Sequence, residues 1–204
     1  RGFKFSLVSG LAAYICGAGE CIVPESGQGA LGPVLASVGQ IYPDYRNHPA
    51  FLLRMSDFLE ALLGRRIEYV FPRLWNTKAE TLASYISLGP ASVDWKNTIS
   101  CWKGSQWSSI DGKFRQCGAC AACLLRRMSV HAAGQAEPPD TYIAFDLGAA
   151  TLADAVNPRF GKLNRAFREY LIAAVLHMEH LAELALPENT PHLRRQARIL
   201  SGAV

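Results

Sequence analysis

Three cysteines at intervals of three, with a fourth separated from the first of them by fifteen residues, constrain this chain more than any other feature. They are Cys117, Cys120 and Cys123, preceded by Cys101. Zinc takes four tetrahedral thiolate or imidazole ligands. A CxxC turn brings two sulfurs to one ion while backbone N–H groups stabilise their charge. Cys120 and Cys123, at i and i+3, share a face of a helix's first turn. Cys101 closes the set, and four thiolates leave no open coordination position, so the metal is expected to be structural and not hydrolytic. An iron–sulfur cluster also uses CxxCxxC, and the spacing alone does not separate the two. Such tight spacing suits a metal better than buried free thiols or a disulfide framework. It points to a reducing, cytoplasmic setting. Cys16, on an apolar helix, and Cys21, in a strand, read as core residues.

Around this cluster the pattern is α/β. Residues 4–17 read as an apolar helix stopped by Gly17 and Gly19. Residues 20–24 read as a buried strand, 25–32 as a Gly-rich loop at its C-terminal end, and 33–47 as irregular. Pro49 opens an amphipathic helix that ends at Gly64. Residues 66–71 form a second strand, and Thr77 caps a helix with Glu80 completing a capping box. Alternation of this kind indicates a parallel sheet with flanking helices. Residues 101–123, rich in Cys, Gly, Ser and Trp, are a small separate element, followed by a helix over 120–133 and a linker over 135–141. A long helix is expected over 160–186, with Leu163, Phe167, Tyr170, Leu171, Ala174 and Met178 on its apolar face. A short one is expected over 190–200. The expected organisation is thus an α/β domain over 1–100, a zinc module and helix over 101–134, and a helical extension over 135–204.

The formal net charge of +4 in 204 residues is too mild to argue for a nucleic-acid binder and is compatible with an anionic ligand such as a nucleotide. No stretch reads as a membrane span or secretory signal. The chain opens on Arg1-Gly2 and runs directly into an apolar pattern, which reads as a piece of a longer protein or a processed one.

Several segments fall in a telling order: Ile22-Val23-Pro24-Glu25-Ser26-Gly27, Thr77-Lys78-Ala79-Glu80, Thr98-Ile99-Ser100-Cys101, and Cys117 through Arg127. Together they resemble the strand and substrate loop, the (S/T)KxE helix start, the lead-in to the first zinc ligand and the zinc helix of 7-cyano-7-deazaguanine synthases. These belong to the N-type ATP-pyrophosphatase family (adenine nucleotide alpha hydrolases), with a Rossmann-like HUP fold. The resemblance covers about residues 5–134, the C-terminal half of that domain. The Cys101–Cys117 gap is longer than in the housekeeping enzymes. That gap, the Pro-Glu-Ser-Gly loop and the C-terminal helices are more similar to divergent members found in antiphage defence clusters. The family's SGGxDS phosphate loop has no counterpart here, which reads as an absent N-terminal part.

The resemblance implies ATP-dependent adenylation of a 7-deazaguanine carboxylate or amide, departure of pyrophosphate, and attack by ammonia. Structural Zn²⁺, ATP and Mg²⁺ are the implied cofactors. Lys78, at a helix N-terminus where anions are favoured, is the candidate phosphate contact; otherwise it is a solvated surface lysine. Glu25, Ser26 and Gln28 lie just past a strand end, where open α/β sheets place ligands, and are candidates for the deazapurine; otherwise they form a polar turn. Of Arg126 and Arg127, one is expected to reach an anionic ligand and the other to face water. Trp102 and Trp107 are expected to pack over the cysteines; otherwise they stack on a base. His177 and His180 read as a structural pair. The implied partners are ATP and a 7-deazaguanine-type molecule or macromolecular acceptor, with the chain as one half of a homodimer, its long helix packing against the other subunit, or as a defence-complex subunit. No membrane is among them. A rival reading is a non-catalytic zinc-ribbon module that binds protein or nucleic acid through its basic stretches.

Overall fold

The computed structural model describes residues 2–30, 46–103, 108–161, 163–183, 185–191, 194–195 and 198. These divide into two compact units. One holds the described residues up to 78 and from 180 onward, and the other those between 79 and 179.

In the first unit, α1 (Gly2–Ile15) is largely apolar without one distinct apolar face and buries Ser6, Gly10 and Ala13. Strand β1 (Glu20–Ile22) follows. Helix α2 (Pro49–Leu63) starts where the sequence signals it. His48 is extended, its Nδ1 accepts the Ala50 N–H at 3.2 Å, and Pro49 occupies the first turn. The helix stops at Gly64, whose backbone is left-handed at φ 70°. Its buried stripe is Leu52, Met55 and Leu59. Strand β2 (Glu68–Val70) pairs in parallel with β1, with Cys21 opposite Tyr69. The expected parallel sheet is therefore present, as two short strands joined through α2. Ala13, Leu52, Met55, Leu59, Ile67 and Tyr69 form the core. The Tyr69 hydroxyl donates to the Ser6 carbonyl at 2.5 Å, and burial pushes its pKa up to about 12.

The second unit contains α3 (Lys78–Ile86, its first residue at the boundary) and a 3₁₀ segment (Pro90–Asn97). An antiparallel hairpin of β3 (Ser109–Ile110) and β4 (Lys113–Phe114) follows, then α4 (Ala121–Ala132). Next come the short α5 (Leu152–Ala155) and α6 (Arg165–Glu183, its residues from 180 on counted with the first unit). The core gathers Ile110, three cysteines, Tyr142, Ile143, Phe160 and Phe167. Phe160 and Phe167 meet with ring centroids 5.5 Å apart.

The long helix is shorter than the apolar pattern suggested. Asn164 Oδ1 accepts the Phe167 N–H at 3.0 Å, so helix growth starts there and Phe160 lies in the preceding loop. Phe167 and Ala174 are buried and Leu163 and Leu171 pack on the core. The side chain of Tyr170 lies outside the described residues. So does much of the short helix expected over 190–200. Before it the chain makes a 3₁₀ turn (Pro187–Asn189). The expected loop over 25–32 contains a helical turn over 27–30. The irregular segment expected over 33–47 lies mostly outside the described residues. Among the described residues no helix is long and apolar enough to cross a membrane.

Candidate functional site

The four cysteines converge. The Sγ atoms of Cys101, Cys117, Cys120 and Cys123 all lie within 4.8 Å of one another. Cys117, Cys120 and Cys123 are buried, and Cys101 is half-buried. A tetrahedral metal with metal–sulfur bonds of about 2.3 Å sets its sulfurs about 3.8 Å apart. Cys117 Sγ and Cys123 Sγ are 3.8 Å apart. Backbone donors point at the sulfurs. The N–H groups of Cys117 and Lys103 approach Cys101 Sγ at 3.3 and 3.4 Å, and that of Cys120 approaches Cys117 Sγ at 3.3 Å. Hydrogen bonds from Cys117, then Cys120 and Cys123, hold the Cys101 thiol far below the usual range. The bond to Cys101, then those to Cys117 and Cys120, push Cys123 far above it. Four sulfurs competing for protons at this distance are a donor set for one soft cation, and these residues fit such an ion.

Local sequence explains the convergence. Gly118 is left-handed at φ 77°, and a Cβ there would fall 2.4 Å from the Ala144 carbonyl oxygen. The turn between Cys117 and Cys120 therefore needs glycine. Cys120 is the extended residue before α4 and Cys123 lies in its first turn. Arg126, one turn further on, is locked. It pairs with Glu137 at 2.7 Å, their side chains being 8% and 7% exposed. It also donates to Thr98 Oγ1 at 2.8 Å and to the Trp95 carbonyl at 3.2 Å. Glu137 accepts the Tyr142 hydroxyl as well. Arg127 donates to the Ala144 and Phe145 carbonyls at 2.7 and 2.8 Å and lies over the Tyr142 ring.

In the first unit, a second group of candidates meets past the end of β1. Lys78 Nζ pairs with Glu25 Oε1 at 3.0 Å, and the Lys78 backbone N–H donates to Gln28 Oε1 at 2.7 Å. Ser26 is 2% exposed, and its hydroxyl has no hydrogen-bond partner among the described residues. Glu25 also lines a cavity of about 340 Å³ with Phe5, Ser9, Cys21, Asn47 and Tyr69.

A scan against family models matches residues 32–134 to "Queuosine biosynthesis protein QueC". The chain belongs to the QueC family. Among curated relatives, the 7-cyano-7-deazaguanine synthase of Methylobacillus flagellatus is 35% identical over 100 residues, 48% of this chain and 40% of the relative. That of Methanoregula boonei is 35% identical over 98 residues, 48% and 39% respectively. That of Cupriavidus pinatubonensis is 39% identical over 75 residues, 37% and 29%. The matches thus span about two fifths or less of these relatives' own length. No solved structure matches.

All four cysteines and Lys78 fall inside the QueC match, while Glu25, Ser26 and Gln28 precede it. Several expectations need correction. Arg126 is held by the internal carboxylate of Glu137 and Arg127 by backbone carbonyls, so internal acceptors take the place of the expected anionic ligand and water. Trp102 does not cover the cysteines. It is 53% exposed, and Ile110, Ile143 and Phe167 pack there instead. Trp107 and the side chains of His177 and His180 lie outside the described residues. Cys16 is exposed, beyond the end of α1, and Cys21 is half-buried with its thiol donating to the Ser9 carbonyl at 3.4 Å. Sequence reasoning missed Glu137 and Tyr142, which lock α4 through Arg126, because Glu137 sits in a stretch that looks like a linker.

Proposed function

We propose that this chain is part of an ATP-dependent 7-cyano-7-deazaguanine synthase-like enzyme of the cytoplasm. It activates a 7-deazaguanine carboxylate or amide by adenylation; the name of its relatives, 7-cyano-7-deazaguanine synthase, supports a substrate of this class. The observation that carries this reading is the QueC match spanning both the four-sulfur centre and Lys78. In this reading Cys101, Cys117, Cys120 and Cys123 hold one Zn²⁺, which supplies a structural cross-link and no reaction step. Lys78 contacts the polyphosphate of ATP, whose Mg²⁺ neutralises the developing charge. The ammonium and the N-terminus of α3 favour the anion as pyrophosphate departs. Glu25, Ser26 and Gln28 recognise the deazapurine at the end of β1, where open α/β sheets bind ligands. Ammonia then displaces AMP from the activated carboxylate.

The zinc-ribbon alternative drew on Arg126-Arg127 and on Arg194, Arg195 and Arg198, and the internal bonds of the first pair leave it weaker. The acceptor is a small 7-deazaguanine carboxylate; a protein or nucleic-acid acceptor, as in a defence complex, is the other outcome of the test. The natural polypeptide is incubated with ATP, Mg²⁺, ammonium and 7-carboxy-7-deazaguanine, and products are read by mass spectrometry. AMP, pyrophosphate and an amide or nitrile are expected. No nucleotide consumption with the metal in place would refute the reading.

A further inference from the structure

The pair between Lys78 and Glu25 poses a problem for any ligand of this site. The reading above gives Lys78 to a polyphosphate and Glu25 to a base, yet each is held by the other at 3.0 Å. The Lys78 backbone N–H, the helix-end donor an anion would use, is likewise taken by Gln28 from the same loop. The loop is fitted to this arrangement. A Cβ on Gly29 would fall 2.1 Å from Glu25 Oε1, so the carboxylate lies directly on glycine backbone. Gly27 donates its N–H to the Asn76 carbonyl at 3.1 Å, which binds the loop to the segment leading into α3.

Among the described residues, Glu25 is also the only Asp or Glu lining the cavity at the end of β1. The cavity's size, about 340 Å³, is in the range of small-molecule pockets. Three other polar groups of its wall are engaged within the chain. Tyr69 donates to Ser6, and both Ser9 Oγ and the Cys21 thiol donate to backbone carbonyls. A carboxylate is the acceptor that suits the adjacent N–H and NH₂ donors of a guanine-like edge.

We propose that Glu25 couples the two ligands of the site. It holds Lys78 until a polyphosphate takes the lysine, and its released carboxylate then accepts from the base in the cavity. This rests on the function proposed above and adds to it a linkage between nucleotide and base. Each ligand breaks the same ion pair, so the first to bind meets that cost and the second does not. By reciprocity, each tightens the other equally.

The experiment is calorimetric titration of the natural polypeptide with inorganic pyrophosphate and with 7-carboxy-7-deazaguanine, singly and together. Each is expected to strengthen the other about tenfold, within the usual range of coupling. In Glu25→Gln, pyrophosphate alone is expected to bind more tightly than to the wild type, and the coupling is expected to vanish. Lys78→Met should abolish the coupling from the other side while tightening the base. Metal content and melting temperature verify that each variant is folded. Binding of both ligands without coupling, or coupling that survives Glu25→Gln, overturns the latch and leaves the function standing. Failure of both ligands to bind the folded wild type overturns the function and the latch together.

Discussion

At the scale of single residues, Gly118 sets the reach of the CxxC turn. Its positive φ and the 2.4 Å approach of the Ala144 carbonyl to the place of its Cβ act together. Gly118→Ala is expected to cost at least about 1–3 kcal/mol from backbone strain. It should also weaken the metal, because relief requires separating Cys117 from Cys120. Metal competition with a chromophoric chelator reads this directly, and a variant that holds the ion as tightly as the wild type would refute it. The cysteines were legible in the sequence because a metal imposes fixed spacing on its ligands. Arg126 was not. An arginine beside a metal motif looks the same whether it meets an anion or a buried glutamate. The partner, Glu137, lies eleven positions on, and no periodicity announces it.

At the scale of elements, α2 was read correctly because its signals are local: Pro49 at the start, Gly64 at the end and one apolar stripe. The hairpin of β3 and β4 was missed although its signal was present. Asp111-Gly112, both with positive φ, is the pair a tight two-residue turn requires. Its strands are two residues each, too short for alternation to show. The start of α6 was misplaced because apolar periodicity continues through Phe160 while the cap is Asn164.

The α2 cap carries a pH prediction. His48 Nδ1 accepts a hydrogen bond, so the folded state needs the neutral ring. Burial lowers the His48 pKa below its ordinary value. The unfolded chain therefore takes up the proton first, and stability falls as pH drops. The contribution is complete above the unfolded value of about 6.5 and is lost progressively from there down to the depressed folded value. The loss is limited to about 1.4 kcal/mol per pH unit. Melting temperatures of wild type and His48→Asn, which keeps a neutral capping acceptor, should converge between pH 7.5 and pH 5. Parallel profiles would show that His48 does not titrate with unfolding.

At the scale of the whole molecule, the two compact units are stabilised by different means. The first has a conventional apolar core of Leu52, Met55, Leu59, Ile67 and Tyr69. In the second, three of the cysteines are themselves core residues, and Cys101 packs against them. Four Sγ atoms within 4.8 Å of one another are the donor set of a cation more than an ordinary apolar core. A structural zinc site contributes about 10–16 kcal/mol of apparent folding free energy in small peptides, as much as or more than a typical domain's net stability of about 5–15 kcal/mol. Chelation is therefore expected to unfold the second unit selectively. In hydrogen exchange, amides of α4 and of Gln116, Ile143 and Ala144 should lose protection, while those of α2 and β2 keep it. Cys120→Ser should reproduce the pattern without chelator, and re-addition of Zn²⁺ should restore protection in the wild type alone. Equal loss in both units would mean that the metal supports one cooperative fold. Unchanged protection in the second unit would mean that its core closes without a cation, and the four-ligand assignment would fall.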